Sequence, residues 1–353
     1  MVRVLHVISL LEVGGAQRLV SDMLPVMAAQ GAEVSVLVNR RMNNFLEEKL
    51  EDAGVRILSL DVEDYHRPMF LWRFVRMLRG YDVVHVHLFP YLYFGALASL
   101  FLKCRFVYTE HSTNNRRRSH RYLRWIERMA YRQYDRVVSI SDEVQDSLMR
   151  WLGASRNDGR FVVVSNGVDL HNFDVVKRES GYPVTLLMVS RFTAAKDQAT
   201  VIRAMGLLDE RYHVVFVGDG PTRQGCEALA ASLAVGDRCH FVGEQSDIPS
   251  WIAKADIGVQ SSVWEGFGLS AVELMAGGLP VIASDIKGLR QVVEDAGIIV
   301  PQGDAQALAD EVMHLMGDKD CYQETVERCR RRAQDYGIGK TALAYLEVYE
   351  RMI

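Results

Sequence analysis

The chain has 353 residues, 41 basic against 45 acidic side chains, a formal charge of −4 and 49% hydrophobic residues. That composition is globular and excludes a disordered chain, a collagen-like repeat and a coiled coil. Cys104, Cys226, Cys239, Cys321 and Cys329 are odd in number, widely spaced and without a C-x-x-C pair, so neither a disulfide framework nor a zinc site is expected, and a reducing compartment fits.

The first eleven residues are apolar but broken by Arg3 and His6 and ended by Glu12, with no small-residue cleavage site. No secretory signal is read, and a cytoplasmic location is expected. Residues 2–10 and 34–38 are strand-like, and between them 17–30 carries Leu19, Val20, Met23, Leu24 and Met27 at helical spacing. The alternation continues with a strand over 55–60, a helix over 69–79 and a strand over 83–88. The apolar stretch 88–102 is shorter than a membrane span and contains Pro90, so it is read as a buried helix. A strand over 106–109, a helix over 119–134 and strands over 137–141 and 161–164 complete the first half. Ser165-Asn166-Gly167-Val168-Asp169 then opens a polar stretch to Pro183, where the linker is placed. The pattern restarts with strands over 184–190, 212–218, 239–242, 257–260, 280–283 and 297–300, an apolar segment over 248–254, and helices over 199–208, 223–234 and 270–277. Strands alternating with helices predict two α/β domains, each a parallel sheet covered on both faces. Open sheets of this kind bind ligands at their carboxyl edges, so a cleft between those edges is expected.

Three segments of the second half carry the chemistry. Ser261 to Glu273 follows a strand and opens a helix, with Gly266 and Gly268 allowing close backbone approach and the amides of Phe267, Gly268 and Leu269 at the helix start suited to a phosphate. Glu265 and Glu273 are spaced to straddle that anion and grip hydroxyl groups on either side; a plain glycine-rich strand-to-helix turn explains the spacing equally well. Arg191 and Lys196, after the first strand of this half, are placed to neutralise a diphosphate, although either alone is more often a solvated charge. Gly218 and Gly220 form a G-x-G turn before Pro221; the third glycine comes late, at Gly225, so a turn near a nucleotide is favoured over a nicotinamide fingerprint. In the first half, Gly14 and Gly15 precede a helix and again offer amides. His111 follows a strand and is placed to face a substrate, though a lone loop histidine is usually just solvated. His85 and His87 alternate on a strand with no third ligand at metal spacing, so they are read as structural. No metal-binding D-x-D follows a strand, and a metal-independent enzyme without a cofactor is expected.

Together these stretches resemble the retaining nucleotide-sugar glycosyltransferases of the GT-B fold, specifically family four, the glycosyl transferases group 1 type. Gly14-Gly15-Ala16-Gln17-Arg18 is similar to the family's G-G-A-E-R opening, with Gln17 in place of the acid; Asn166-Gly167-Val168-Asp169 matches its N-G-V-D turn; Glu265 to Glu273 is its complete E-x7-E element; and Gly278 to Asp285 resembles the strand after it. Gln291 departs from the glutamate often found there. The resemblance implies two Rossmann-like doubly wound domains: 1–172 for the acceptor, 183–335 for the donor, and a helix over 336–353 crossing back to the first. It implies that Arg191 and Lys196 hold the donor diphosphate, that Glu265 binds the sugar and Glu273 the ribose, that His111 lies near the anomeric centre, and that Gly14, Gly15, Gly218, Gly220, Gly243, Glu244, Gly266, Phe267, Gly268 and Leu269 line the donor site. The base is expected near Gly243 and Glu244, with UDP the commonest choice.

From His66 to Arg136 thirteen arginines and Lys103 face only four acids. Arg117, Arg121, Arg124, Arg128 and Arg132 recur at helical spacing with Tyr122, Trp125, Ile126 and Met129 towards another face, and Arg73, Arg76 and Arg79 accompany Phe70, Leu71, Trp72 and Phe74. A basic amphipathic helix with aromatics suits an anionic membrane, so the protein is expected to be peripheral on the inner face of the cytoplasmic membrane. Arg116, Arg117, Arg118, Arg121 and Arg124 are then expected to meet headgroups or a polyprenyl-diphosphate-linked saccharide acceptor, while nucleic acid is not an expected partner. The alternatives are a non-transferring nucleotide-sugar epimerase and a catalytically idle sugar-nucleotide-binding partner.

Overall fold

A computed structural model describes the chain except residues 1, 13, 63–67, 114–117, 119, 121, 156 and 176–181. Two compact units emerge: Met1–Gly167 with Ile338–Ile353, and Val168–Gly337.

The first unit runs β1 (Arg3–Val7), α1 (Gly15–Ala29), β2 (Glu33–Val38), α2 (Phe45–Asp52), β3 (Arg56–Ser59), α3 (Pro68–Met77), β4 (Val83–His87), α4 (Tyr91–Ala98), β5 (Arg105–Glu110), α5 (Leu123–Tyr131), β6 (Arg136–Ser139), α6 (Asp142–Leu152) and β7 (Phe161–Val163). Its seven strands are ordered β3-β2-β1-β4-β5-β6-β7, with every pairing parallel. Apolar residues leave both faces of each central strand, as a sheet sandwiched by helices requires: Val4 joins Leu19, Met23 and Tyr345 on one side, and Leu5 joins Phe70, Phe74, Tyr91 and Tyr134 on the other.

The second unit runs β8 (Val184–Val189), α7 (Gln198–Met205), β9 (Tyr212–Val217), α8 (Arg223–Ser232), β10 (Cys239–Phe241), α9 (Ile248–Lys254), β11 (Ile257–Gln260), α10 (Leu269–Ala276), β12 (Val281–Ser284), α11 (Lys287–Val293), β13 (Ile298–Val300), α12 (Ala305–Gly317) and α13 (Lys319–Ala333). Its six parallel strands are ordered β10-β9-β8-β11-β12-β13. Both sheets are therefore doubly wound, reversing between β1 and β4 and between β8 and β11. The last helix, α14 (Ile338–Glu350), belongs to the first unit, where it packs on α1 and buries Tyr345 and Tyr349. Thr341 Oγ1 donates to Ser165 O at 3.0 Å, and Arg105 Nε to Met352 O at 2.9 Å, tying both of its ends down.

Two elements differ from the sequence expectation. The apolar stretch 88–102 is helical only over Tyr91–Ala98, because Phe89 precedes Pro90 and is steered away from the helical region. It is not wholly buried either: Leu97, Leu100 and Phe101 are exposed. The helix expected over 119–134 is observed as α5, Leu123–Tyr131, with Glu127, Ala130 and Tyr131 buried and Tyr122, Trp125, Ile126 and Met129 exposed alongside Arg124 and Arg128. Trp151 Nε1 donates to Glu127 Oε2 at 2.6 Å, which holds the acid inward.

Candidate functional site

In doubly wound sheets the crevice at the strand carboxyl ends, where the order reverses, is the ligand position. In the second unit, four segments distant in sequence meet there. Phe192 N donates to Asp219 O at 2.9 Å, Gly218 N to Gly243 O at 2.8 Å, and Val263 N to Ala195 O at 2.8 Å. Ser261 Oγ adds a bond to Asp197 O at 2.8 Å. The segments after β8, β9, β10 and β11 are thus one knitted rim. The two glycines of the G-x-G turn exist for that contact: a Cβ on Gly218 would stand 2.2 Å from Ser190 O, and one on Gly220 2.3 Å from Phe192 O.

On this rim Lys196 Nζ and the Glu265 carboxylate form a close ion pair, and both side chains are largely covered. Glu265 Oε1 also accepts from Gly266 N at 3.2 Å. Arg191 is exposed and its guanidinium has no partner among the described residues, so it is available to an incoming anion. Glu244 is exposed at the same edge, beyond Gly243. Helix α10 begins after Gly268, and the first-turn N–H groups of a helix lack intrahelical acceptors. Glu273 is buried in that helix, 6% exposed. The Phe267 ring is core, packed edge-on against Tyr336 with centroids 5.3 Å apart, so only its backbone is available to a ligand. Gly288, which the sequence reading did not single out, lies directly against Glu265: a Cβ there would be 2.1 Å from Glu265 O. Its signal was weak, a single glycine in a short helix.

The first unit contributes two of the expected features. Gly14 precedes α1, and Arg18 N donates to its carbonyl at 2.9 Å. His111 lies just past β5, its Nε2 3.0 Å from His87 Nδ1, while its Nδ1 is buried with no partner. Burial pushes the His111 imidazole down to about 4, so the ring is neutral at neutral pH.

Two expectations are corrected. His85 and His87 do have a third histidine beside them, His6, because the parallel register sets it against His85 across the strand pair. The three rings offer ligand atoms that all lie within 4.8 Å of one another. Arg118, expected at an acceptor or membrane face, is instead an interior cation: it donates to Thr113 O at 2.6 Å, to Ser147 Oγ at 3.0 Å and to the buried Glu110 carboxylate at 3.3 Å. Tyr131 donates to the same carboxylate at 2.6 Å. A buried carboxylate needs such partners, and β5 placed Glu110 where Arg118 supplies one. Of the other arginines in that group, Arg124 is exposed, and Arg116, Arg117 and Arg121 lie outside the described residues.

A lysine–carboxylate pair just ahead of a helix N-terminus, on a rim that also carries an exposed arginine, suits a diphosphate flanked by hydroxyl-bearing groups. Family profiles agree with that chemistry: "Glycosyltransferase Family 4" matches residues 13–172 and "Glycosyl transferases group 1" matches 172–336. The chain belongs to the group 1 glycosyltransferases. Among its relatives, a D-inositol 3-phosphate glycosyltransferase of Xylanimonas cellulosilytica is 28% identical over 96% of this chain and 92% of its own length. Others align over part of their length: D-inositol 3-phosphate glycosyltransferase 2 of Catenulispora acidiphila is 32% identical over 62% of this chain and 56% of its own. The lipopolysaccharide core biosynthesis mannosyltransferase LpsB of Rhizobium meliloti is 33% identical over 35% of this chain and 36% of its own. Anabaena HepE, crystallised with UDP and glucose, shares the GT-B fold at a TM-score of 0.86, with 18% identity over 99% of this chain and 100% of that one. This glycosyltransferase has, among its described residues, no helix long and apolar enough to cross a membrane.

Proposed function

We propose that this glycosyltransferase moves a hexosyl group from a nucleoside-diphosphate sugar, UDP-linked, to a lipid-linked saccharide acceptor with retention of configuration, in surface polysaccharide or glycolipid assembly. The observation that carries the reading is the Lys196–Glu265 pair on the knitted rim beside the unpartnered Arg191. An arriving diphosphate competes with Glu265 for Lys196, and the released carboxylate is then available to the sugar hydroxyls. Arg191, Lys196 and the N-terminus of α10 meet the charge that grows on the diphosphate as the sugar departs. These cations occupy the role a divalent metal plays elsewhere, so the transfer is read as metal-independent. Glu273 serves the ribose. The HepE complex with UDP and glucose supports a uridine donor, and LpsB, by its name, a lipopolysaccharide setting.

The lipid side rests on exposed side chains of neighbouring helices. Helix α4 packs on both α3 and α5, and the three expose Met69, Trp72, Leu97, Tyr122, Trp125, Ile126 and Met129 with Arg124 and Arg128. Apolar rings among arginines suit insertion into an anionic headgroup layer. A calorimetric screen against UDP, GDP, ADP and CMP and their sugars, with EDTA present, tests the donor reading. Binding that weakens in Arg191→Ala and Glu273→Ala is expected; no binding without added metal refutes metal independence. Sedimentation with anionic vesicles tests the lipid reading, and retained binding by Trp125→Glu with Arg124→Glu refutes it.

A further inference from the structure

Around the buried histidines, seven side chains of the first unit form one continuous hydrogen-bonded chain. Tyr345 Oη lies 3.1 Å from Thr109 Oγ1, which lies 2.7 Å from His85 Nε2. His85 Nδ1 is 2.5 Å from Tyr349 Oη, which is 3.4 Å from His6 Nε2. His6 Nδ1 is 3.0 Å from His87 Nε2, and His87 Nδ1 is 3.0 Å from His111 Nε2. Six of these residues are fully buried, at 0% exposure; His111 alone is not.

We propose that this chain is directional, running from the terminal helix to His111, and that it holds His111 as the Nδ1–H tautomer with that N–H offered to an acceptor oxygen of the bound substrate. Each neutral imidazole or hydroxyl carries one proton for this purpose, so seven protons serve six contacts and one is left over. A leftover proton on Tyr345, or on a hydroxyl inside the chain, is an unsatisfied donor sealed at 0% exposure, where no incoming acceptor reaches it. Tyr345 has only Thr109 within hydrogen-bonding reach among the described residues, which closes that end. His111 is the one member of the chain that is not fully buried, so its Nδ1, which no protein group engages among the described residues, is the place where an incoming acceptor can meet the surplus proton. The direction follows: Tyr345 donates to Thr109, Thr109 to His85, His85 to Tyr349, Tyr349 to His6, His6 to His87, and His87 to His111. Burial keeps the rings neutral, with His6 pushed down to about 3 and His85 and His87 held well below their usual value. Six side chains thus act as positioning residues for a seventh. The tautomers do not depend on the transferase reading; only the identity of the molecule that accepts from His111 does.

The three converging histidines suggest a cation site as the rival. Both nitrogens of each ring are already engaged in the chain, and none of the seven members is a carboxylate that could balance a buried divalent charge.

The test is a long-range proton–nitrogen correlation spectrum of the full chain labelled with nitrogen-15 histidine, at pH 7 without substrate, with the four resonances assigned by single substitutions. All four histidines are expected as Nδ1–H, against the Nε2–H form that predominates for free histidine. A wild-type His111 or His87 in the Nε2–H form overturns the proposal with no variant needed. His87→Phe is expected to return His111 to Nε2–H, and a His111 that keeps its proton on Nδ1 there overturns the role of the chain. Added Zn2+ alone is expected to leave the four signals in place; displacement of the His6, His85 and His87 signals makes them a metal site and overturns the direction. A failed nucleotide screen would end the donor reading and leave these tautomers as they are.

Discussion

Helix propensity and packing make opposite forecasts for Gly288→Ala. In a helix interior, alanine is favoured over glycine by about 1 kcal/mol. Gly225 in α8 has nothing within 4 Å of where a Cβ would sit, so Gly225→Ala is expected to gain roughly that amount. At Gly288 the new Cβ would stand 2.1 Å from Glu265 O, 2.8 Å from its carbonyl carbon and 3.3 Å from its own Cβ. Backbone on both sides must give way by about 1 Å, and overpacking of this kind costs about 1–3 kcal/mol. The net expectation is a loss of about 0–2 kcal/mol, so that the two variants differ by about 1–3 kcal/mol. A domain of this size shifts its melting temperature by about 2–4 °C per kcal/mol. Scanning calorimetry of both variants beside the wild type reads the difference, and titration with the nucleotide sugar that the screen selects reads the consequence for function. Because the displaced residue is Glu265, affinity for that nucleotide sugar is expected to fall in Gly288→Ala and hold in Gly225→Ala. If Gly288→Ala is as stable as Gly225→Ala and binds the donor as the wild type does, the reasoning fails.

Arg118→Ala is expected to destabilise the first unit by about 3–5 kcal/mol, since it strips a buried carboxylate of its cation; urea unfolding measures it, with exposed Arg124→Ala as the near-neutral control. Arg191→Ala is expected to weaken nucleoside-diphosphate binding by about 1.5–3 kcal/mol, the range for a hydrogen bond to a charged group, read by calorimetry. The buried histidines predict an acid-sensitive first unit. Their folded pKa values, about 3 for His6 and about 4 for His111, lie below the unfolded value near 6.5, so the unfolded state binds more protons as pH falls. Stability is complete above about pH 6.5 and declines below it, by up to about 1.4 kcal/mol per pH unit for each histidine. Melting temperatures between pH 6.5 and pH 5, above the carboxylate range, check the slope; a flat profile contradicts it.

Much of the fold was legible because parallel strands buried on both faces are written as short apolar runs such as Val34 to Val38. Helices α2, α6, α11, α12 and α13 were not read. For α6 the local signals were present, Ser141 accepting from Val144 N and Gly153 at φ 62° closing the helix. For α13 they were faint, since only Thr325, Val326, Cys329 and Ala333 of its fifteen residues are buried. Arginines 117 to 132 at helical spacing gave the periodicity of a basic face but not its depth; the Arg118 side chain is buried against Glu110, at the end of β5 eight residues earlier.

The sequence by itself determined two α/β units, the glycine turns at the strand ends, and the charged residue types of the rim, because secondary-structure period and turn chemistry are local. Only the tertiary structure decided that Lys196 pairs with Glu265, that Gly288 supports that acid, and that His6, His85, His87 and His111 join Tyr345 and Tyr349 in one chain. Those relations link residues up to 343 positions apart, and they come from strand register and helix docking, which no local pattern encodes.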